Sequence, residues 1–199
     1  MRKLLVIILF TVSAVQVNAQ ICKVLVVKQY LYSNIKNHET DTATGILRIE
    51  GDTCIVTHDA LKKDGFGAYI SKNAVAVHSI IFENPGTIID FLPWGAFENL
   101  EYLSIYGNDF DYMEKLPEGV YLLKKLNVLK LSQIYNFDLA GFTEKSVKLK
   151  GLKYFVYNDN AFKEHQMTEI EYLKLTAKCP NLTINGRKPK VKTTEGYEY

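Results

Sequence analysis

The chain carries 24 Lys and Arg against 22 Asp and Glu over 199 residues, and 47% of its residues are hydrophobic. This is enough apolar material for one sizeable core. The near balance of charge excludes the broad basic face that nucleic-acid binding uses; the one basic cluster, Arg187, Lys188, Lys190 and Lys192, runs into Glu195 and Glu198 and reads as a solvated tail over 187–199.

Residues 1–19 read as an export signal. Arg2 and Lys3 precede the apolar run Leu4 to Phe10, and Val17-Asn18-Ala19 offers small residues for cleavage before Gln20. The run is shorter than the roughly 17 to 25 apolar residues that span a bilayer. No later stretch is long and apolar enough to do so, so the expectation is an extracytoplasmic chain (periplasmic, cell-surface or secreted) without stable membrane insertion. An oxidising compartment makes Cys22 and Cys54 a candidate disulfide, the alternative being two unpaired thiols. Cys179 is expected to be a small buried residue replacing Leu.

From 20 to about 70 the chain shows strand-like runs at Lys23 to Val27, Ile46 to Glu50 and Cys54 to Thr57, separated by the polar stretch Ser33 to Gly45. This region lacks the periodicity that follows and reads as an N-terminal β-rich cap.

Over 71–186 one phrase recurs. It runs Val77-x-x-Ile80-x-Phe82, Leu100-x-x-Leu103-x-Ile105, Leu126-x-x-Leu129-x-Leu131, Leu152-x-x-Phe155-x-Tyr157 and Cys179-x-x-Leu182-x-Ile184, starting at intervals of 23, 26, 26 and 27 residues. A unit this short cannot bury its own apolar face, so successive units must stack and share a core. Each phrase reads as a short strand of a parallel sheet, with the named residues inward. Asn84, Asn108 and Asn160 follow three of the strands, where a side-chain amide can satisfy turning backbone. Of the return segments, Pro117-Glu118 opens a short helix with Val120, Leu122 and Leu123 in apolar contact. Thr168 to Lys178 is the most helix-like: Ile170, Leu173 and Ala177 have helical spacing, Thr168 and Glu171 fit a capping box, and Pro180 marks the stop.

The intervening strand residues point outward: Ser79, Ile81 and Glu83; Tyr102, Ser104 and Tyr106; Val128, Lys130 and Ser132; Tyr154, Val156 and Asn158; Asn181, Thr183 and Asn185. In register they form a mixed aromatic and polar ladder suited to recognising a protein or carbohydrate. The candidate ligand-binding set is Tyr102, Ser104, Tyr106, Val128, Lys130, Tyr154, Val156 and Asn158, with the tyrosines as anchors.

The stretch Leu92-Pro93-Trp94-Gly95-Ala96-Phe97-Glu98-Asn99-Leu100-Glu101-Tyr102-Leu103-Ser104-Ile105-Tyr106-Gly107-Asn108 resembles the leucine-rich repeat phrase LPxxAFxxLxxLxxLxLxxN. A second copy begins at Leu116-Pro117 and reaches Leu126 after two additional residues; a third departs from the pattern at Phe142 to Lys150. The chain thus resembles a leucine-rich repeat protein of bacterial exported type. The resemblance implies an α/β solenoid with a parallel sheet on the concave face, short helices or irregular segments on the convex face, and a partner held on the sheet.

Reactive chemistry is sparse. His38, His58, His78 and His165 have no metal-ligand spacing, Asp109 and Asp111 lack the rest of a calcium loop, and Gly65-Phe66-Gly67 reads as an ordinary loop. No nucleophile elbow, phosphate loop or dinucleotide fingerprint occurs, so neither a metal nor a cofactor is expected. The expected function is a non-enzymatic, exported binding module. The alternatives are a structural component of an envelope or surface assembly, and a hydrolase whose site at the cap gathers Asp52, His58 and His78.

Overall fold

The structure, a computed structural model, describes residues 23–28, 46–50, 53–57, 70, 72–83, 89–90, 92–107, 113–158 and 166–189. The chain is α/β. Its strands are β1 (Val24–Lys28), β2 (Ile46–Glu50), β3 (Thr53–Thr57), β4 (Ser79–Glu83), β5 (Tyr102–Tyr106), β6 (Val128–Ser132), β7 (Tyr154–Tyr157) and β8 (Thr183–Ile184). They form one sheet in the order β2-β3-β1-β4-β5-β6-β7-β8. Every pairing is parallel except that of β2 with β3. Residues 1–19, expected to be an export signal, and Cys22, Asn84, Asn108, Asn160 and the tail beyond Pro189 lie outside the described residues.

The register turns the recurring phrase into continuous apolar rows. Leu25, Ile80, Leu103, Leu129, Phe155 and Ile184 form one buried row, and Val27, Phe82, Ile105, Leu131 and Tyr157 the next. Strand starts repeat as well. Successive carbonyls of Lys23, His78, Glu101 and Asn127 each accept two N–H groups from the following strand, at 2.8 to 3.2 Å. Each strand therefore finds its backbone partners only in its neighbours, and its inward side chains meet the equivalent side chains one unit away.

A second layer closes this core. Three-residue 3-10 turns at Ala74–Ala76 and Trp94–Ala96, and a longer one at Glu118–Leu122, supply Ala74, Trp94, Val120 and Tyr121. The buried indole N–H of Trp94 donates to the Ile89 carbonyl at 3.0 Å, so the large ring enters the core without an orphaned donor. Leu122 departs from expectation: it is exposed, and Val120, Tyr121 and Leu123 are the buried residues here.

Where the third copy of the phrase falters, the chain forms helix α1 (Leu139–Ser146), capped by Asp138 accepting from the Gly141 N–H at 2.8 Å. Its Phe142 stacks on Phe155 with ring centroids 4.5 Å apart. Helix α2 (Glu169–Lys178) has the expected capping box, and it ends before Cys179-Pro180. The apolar residues noted for their helical spacing are not the ones it buries. Tyr172 and Leu175 are buried, whereas Ile170 and Leu173 are 67% and 57% exposed and Ala177 is exposed too. Both stripes have helical spacing, and the larger tyrosine ring takes the inward one.

The last unit is also re-registered. Thr183 pairs with Tyr154 and Ile184 with Phe155, so Ile184, not Leu182, continues the Leu103 row. Leu182 is buried in the turn before the strand, its N–H bonded to the Cys179 carbonyl at 3.1 Å. Cys179 is half-buried, with its sulfur 3.3 Å from the Ser146 hydroxyl. Beyond β8, Asn185 and Gly186 take φ of 45° and 75°, and Ile184 and Arg187 exchange two backbone bonds across that tight hairpin.

Candidate binding face

The face of the sheet opposite the core is assembled by register alone. One row runs Val24, Ser79, Tyr102, Val128, Tyr154 and Thr183; a middle row runs Val26, Ile81, Ser104, Lys130 and Val156; a third holds Glu83, Tyr106 and Ser132. The three expected tyrosines thus share one face. Tyr106 and Tyr154 are 45% and 48% exposed and Tyr102 is half-buried, while Ser104 between the two β5 tyrosines is only 8% exposed and forms a floor. Val128, Lys130 and Val156 are half-buried.

Asn158, expected on this face, is not part of it. It is 1% exposed, adopts φ of 45°, and turns its amide back onto the preceding unit. Oδ1 accepts from the Ile134 N–H at 3.0 Å and Nδ2 donates to the Ile134 carbonyl at 2.6 Å. Asn185 repeats this device on Tyr157, at 2.8 and 3.0 Å. The turn-satisfying amides therefore stand directly after the strands. Asparagine tolerates the left-handed conformation better than other side chains and offers both a donor and an acceptor. Gln133, which follows β6, has the same positive φ.

Sequence reasoning missed Val24 and Val26, which β1 contributes to the face beside β4. The alternation of these residues with buried Leu25 and Val27 is a strand signal, but nothing local tells which strand they join. Of the residues proposed for a hydrolytic site, Asp52 and His58 lie outside the described residues. His78 is exposed and meets only the Glu101 carboxylate, at 3.4 Å, among the interactions described. Cys54 lies in β3 opposite Leu25 of β1, and its suggested partner Cys22 is not among the described residues.

Two concavities among the described residues lie against the helices. One, between α2 and the returning hairpin, includes Tyr172, Leu173, Ala177, Pro180 and Pro189; Arg187 lies over the Tyr172 ring at 4.0 Å and bonds Glu169 at 3.0 Å. The other runs between α1 and α2, crossed by the Lys178–Glu144 ion pair at 2.6 Å. Burial holds the phenols of Tyr121 and Tyr157 neutral, pushing both pKa values up to about 12. Contact with Lys145 lowers the Glu118 pKa at the surface. No described helix is long and apolar enough to cross a membrane. No family model, curated protein or solved structure matches this chain.

Proposed function

We propose that this chain is an exported, non-enzymatic leucine-rich repeat protein that binds a protein or carbohydrate on the outward face of its parallel sheet. In-register stacking of the recurring units, shared rows of core residues and asparagine-held turns all support a repeat solenoid. The observation that carries the binding reading is the pair Tyr106 and Tyr154, large rings left about half exposed on a face whose floor is small and aliphatic. Aromatic anchors beside small residues give contact area at low entropic cost. Affinity capture from cell-surface and host extracts tests this, with a Tyr102, Tyr106 and Tyr154→Ala triple variant as control. Partners retained by the wild type and lost by the variant support the reading; equal recovery by both refutes it.

A structural role in a surface assembly is the second reading. It is favoured by the apolar stripe Ile170, Leu173 and Ala177, which α2 presents to solvent. Retention of this chain in an envelope fraction that depends on Leu173 and not on the tyrosines would favour it.

A further inference from the structure

We propose that Lys130 is the anchor for a side-chain carboxylate of an acidic protein segment lying across the sheet. This rests on the reading of that face as the binding surface. Lys130 occupies the middle of β6, in register with Ser104 on β5 and Val156 on β7, with Val128 and Ser132 as its same-face neighbours along the strand. Tyr102 and Tyr154 flank Val128, and Tyr106 flanks Ser132. The groups around the cation are therefore hydroxyls and aliphatic side chains. Among the described residues of this face the carboxylate is Glu83, which belongs to β4, two strands and about 10 Å away at the usual strand spacing.

Lys130 is half-buried and makes no hydrogen bond or ion pair among the described residues. Ser132 Oγ beside it is fully shielded and has no partner among the described residues, and Ser104 is almost wholly buried. A buried hydroxyl without a partner is uncommon in folded proteins and marks a place where a ligand atom or water completes the structure. An ammonium set among neutral hydroxyl and aliphatic groups is a site for an anion, and a carboxylate there forms charge-assisted hydrogen bonds with it.

The rest of the face favours a protein over an acidic sugar. The tyrosines span two strand spacings in one direction and four residues in the other, roughly 10 by 13 Å, which exceeds one sugar ring. Between them lie Val128 and Val156, with Ile81 on the adjoining strand β4, and these suit apolar side chains of a protein and would desolvate sugar hydroxyls without replacing their hydrogen bonds.

The test uses the purified full chain and three fluorescent probes: a peptide alternating Glu and Leu, the same peptide with Gln for Glu, and an oligogalacturonate of equal length. Anisotropy should show the Glu peptide binding at least tenfold tighter than the Gln peptide, with added salt narrowing the difference. Lys130→Met should abolish that preference and Lys130→Arg should keep it, each variant having wild-type circular dichroism. A preference that survives Lys130→Met, or no binding of either peptide, overturns the proposal. Tighter, Lys130-dependent binding of the oligogalacturonate overturns the protein assignment. If the triple-tyrosine variant keeps the Lys130-dependent preference at full affinity, the aromatic reading of the face fails while the lysine site stands.

Discussion

Replacing Asn158 with Ala should destabilise the fold by about 3 kcal/mol without acting through any ligand. The substitution removes the acceptor of the Ile134 N–H and the closer of two donors to its carbonyl, which keeps only the Tyr157 hydroxyl at 3.4 Å. An unsatisfied buried group costs about 1–3 kcal/mol, and a side chain with a Cβ held in the left-handed region adds about 1 kcal/mol when the amide no longer compensates. For a chain of this size that corresponds to a fall in melting temperature of about 6–12 °C. Differential scanning calorimetry measures it directly. Asn158→Asp sharpens the test, because a carboxyl can replace Nδ2 opposite the Ile134 carbonyl only when protonated. Its folded pKa must then lie above the ordinary value near about 4, so the Asp variant is most stable below that value and loses stability as pH rises through the folded pKa. A change under about 2 °C for the Ala variant, or an Asp variant more stable at neutral than at acid pH, would refute the turn-anchoring role.

Other perturbations probe the packing and the titrating groups. Gly107→Ala brings a Cβ to 2.6 Å from the Gln133 carbonyl oxygen and 2.9 Å from Ile134 Cδ1, between adjacent units. It should cost about 1–3 kcal/mol in urea unfolding, and an unchanged midpoint would contradict that close approach. Leu175→Ala removes a fully buried side chain from α2 and should cost about 2–5 kcal/mol, whereas exposed Leu173→Ala should fall within about 0.5 kcal/mol of wild type. Reversal of that order would restore the Ile170–Leu173–Ala177 stripe as the packing face. Tyr121 and Tyr157 hold their protons to about 12 in the folded chain. Unfolded tyrosine releases its proton at about 10, so the stability these two groups contribute should be constant below that pH and fall as pH rises toward about 12. Tyr157→Phe should make the fall shallower, as read from urea midpoints across the range.

Strand positions in the repeated region were legible because their signal is local and periodic. Leu103 and Ile105 or Leu129 and Leu131 cannot both be buried by a two-residue repeat unless the residues between them face away. That reasoning placed Tyr102, Tyr106 and Tyr154 together on one face, as the register has them. It failed where the period breaks. β8 is only two residues long, and its pairing of Thr183 with Tyr154 slides the last unit relative to a spacing count. It failed at Asn158 too, because strict alternation carries every strand one residue further than β7 runs. The left-handed turn there swings the amide inward.

The sequence by itself determined which residues are inward in the strands β4 to β7 and the capping box that starts α2. The first follows from side-chain alternation and the second from a hydrogen bond spanning three residues. Tertiary structure decided everything that depends on a partner distant in the chain. It set β1 between β3 and β4 and chose Tyr172 and Leu175 over a second apolar stripe as the buried face of α2. It also set Ser104 of β5 beside Lys130 of β6. These choices rest on which surfaces are left to be covered once neighbouring units have stacked, and no local pattern encodes that remainder.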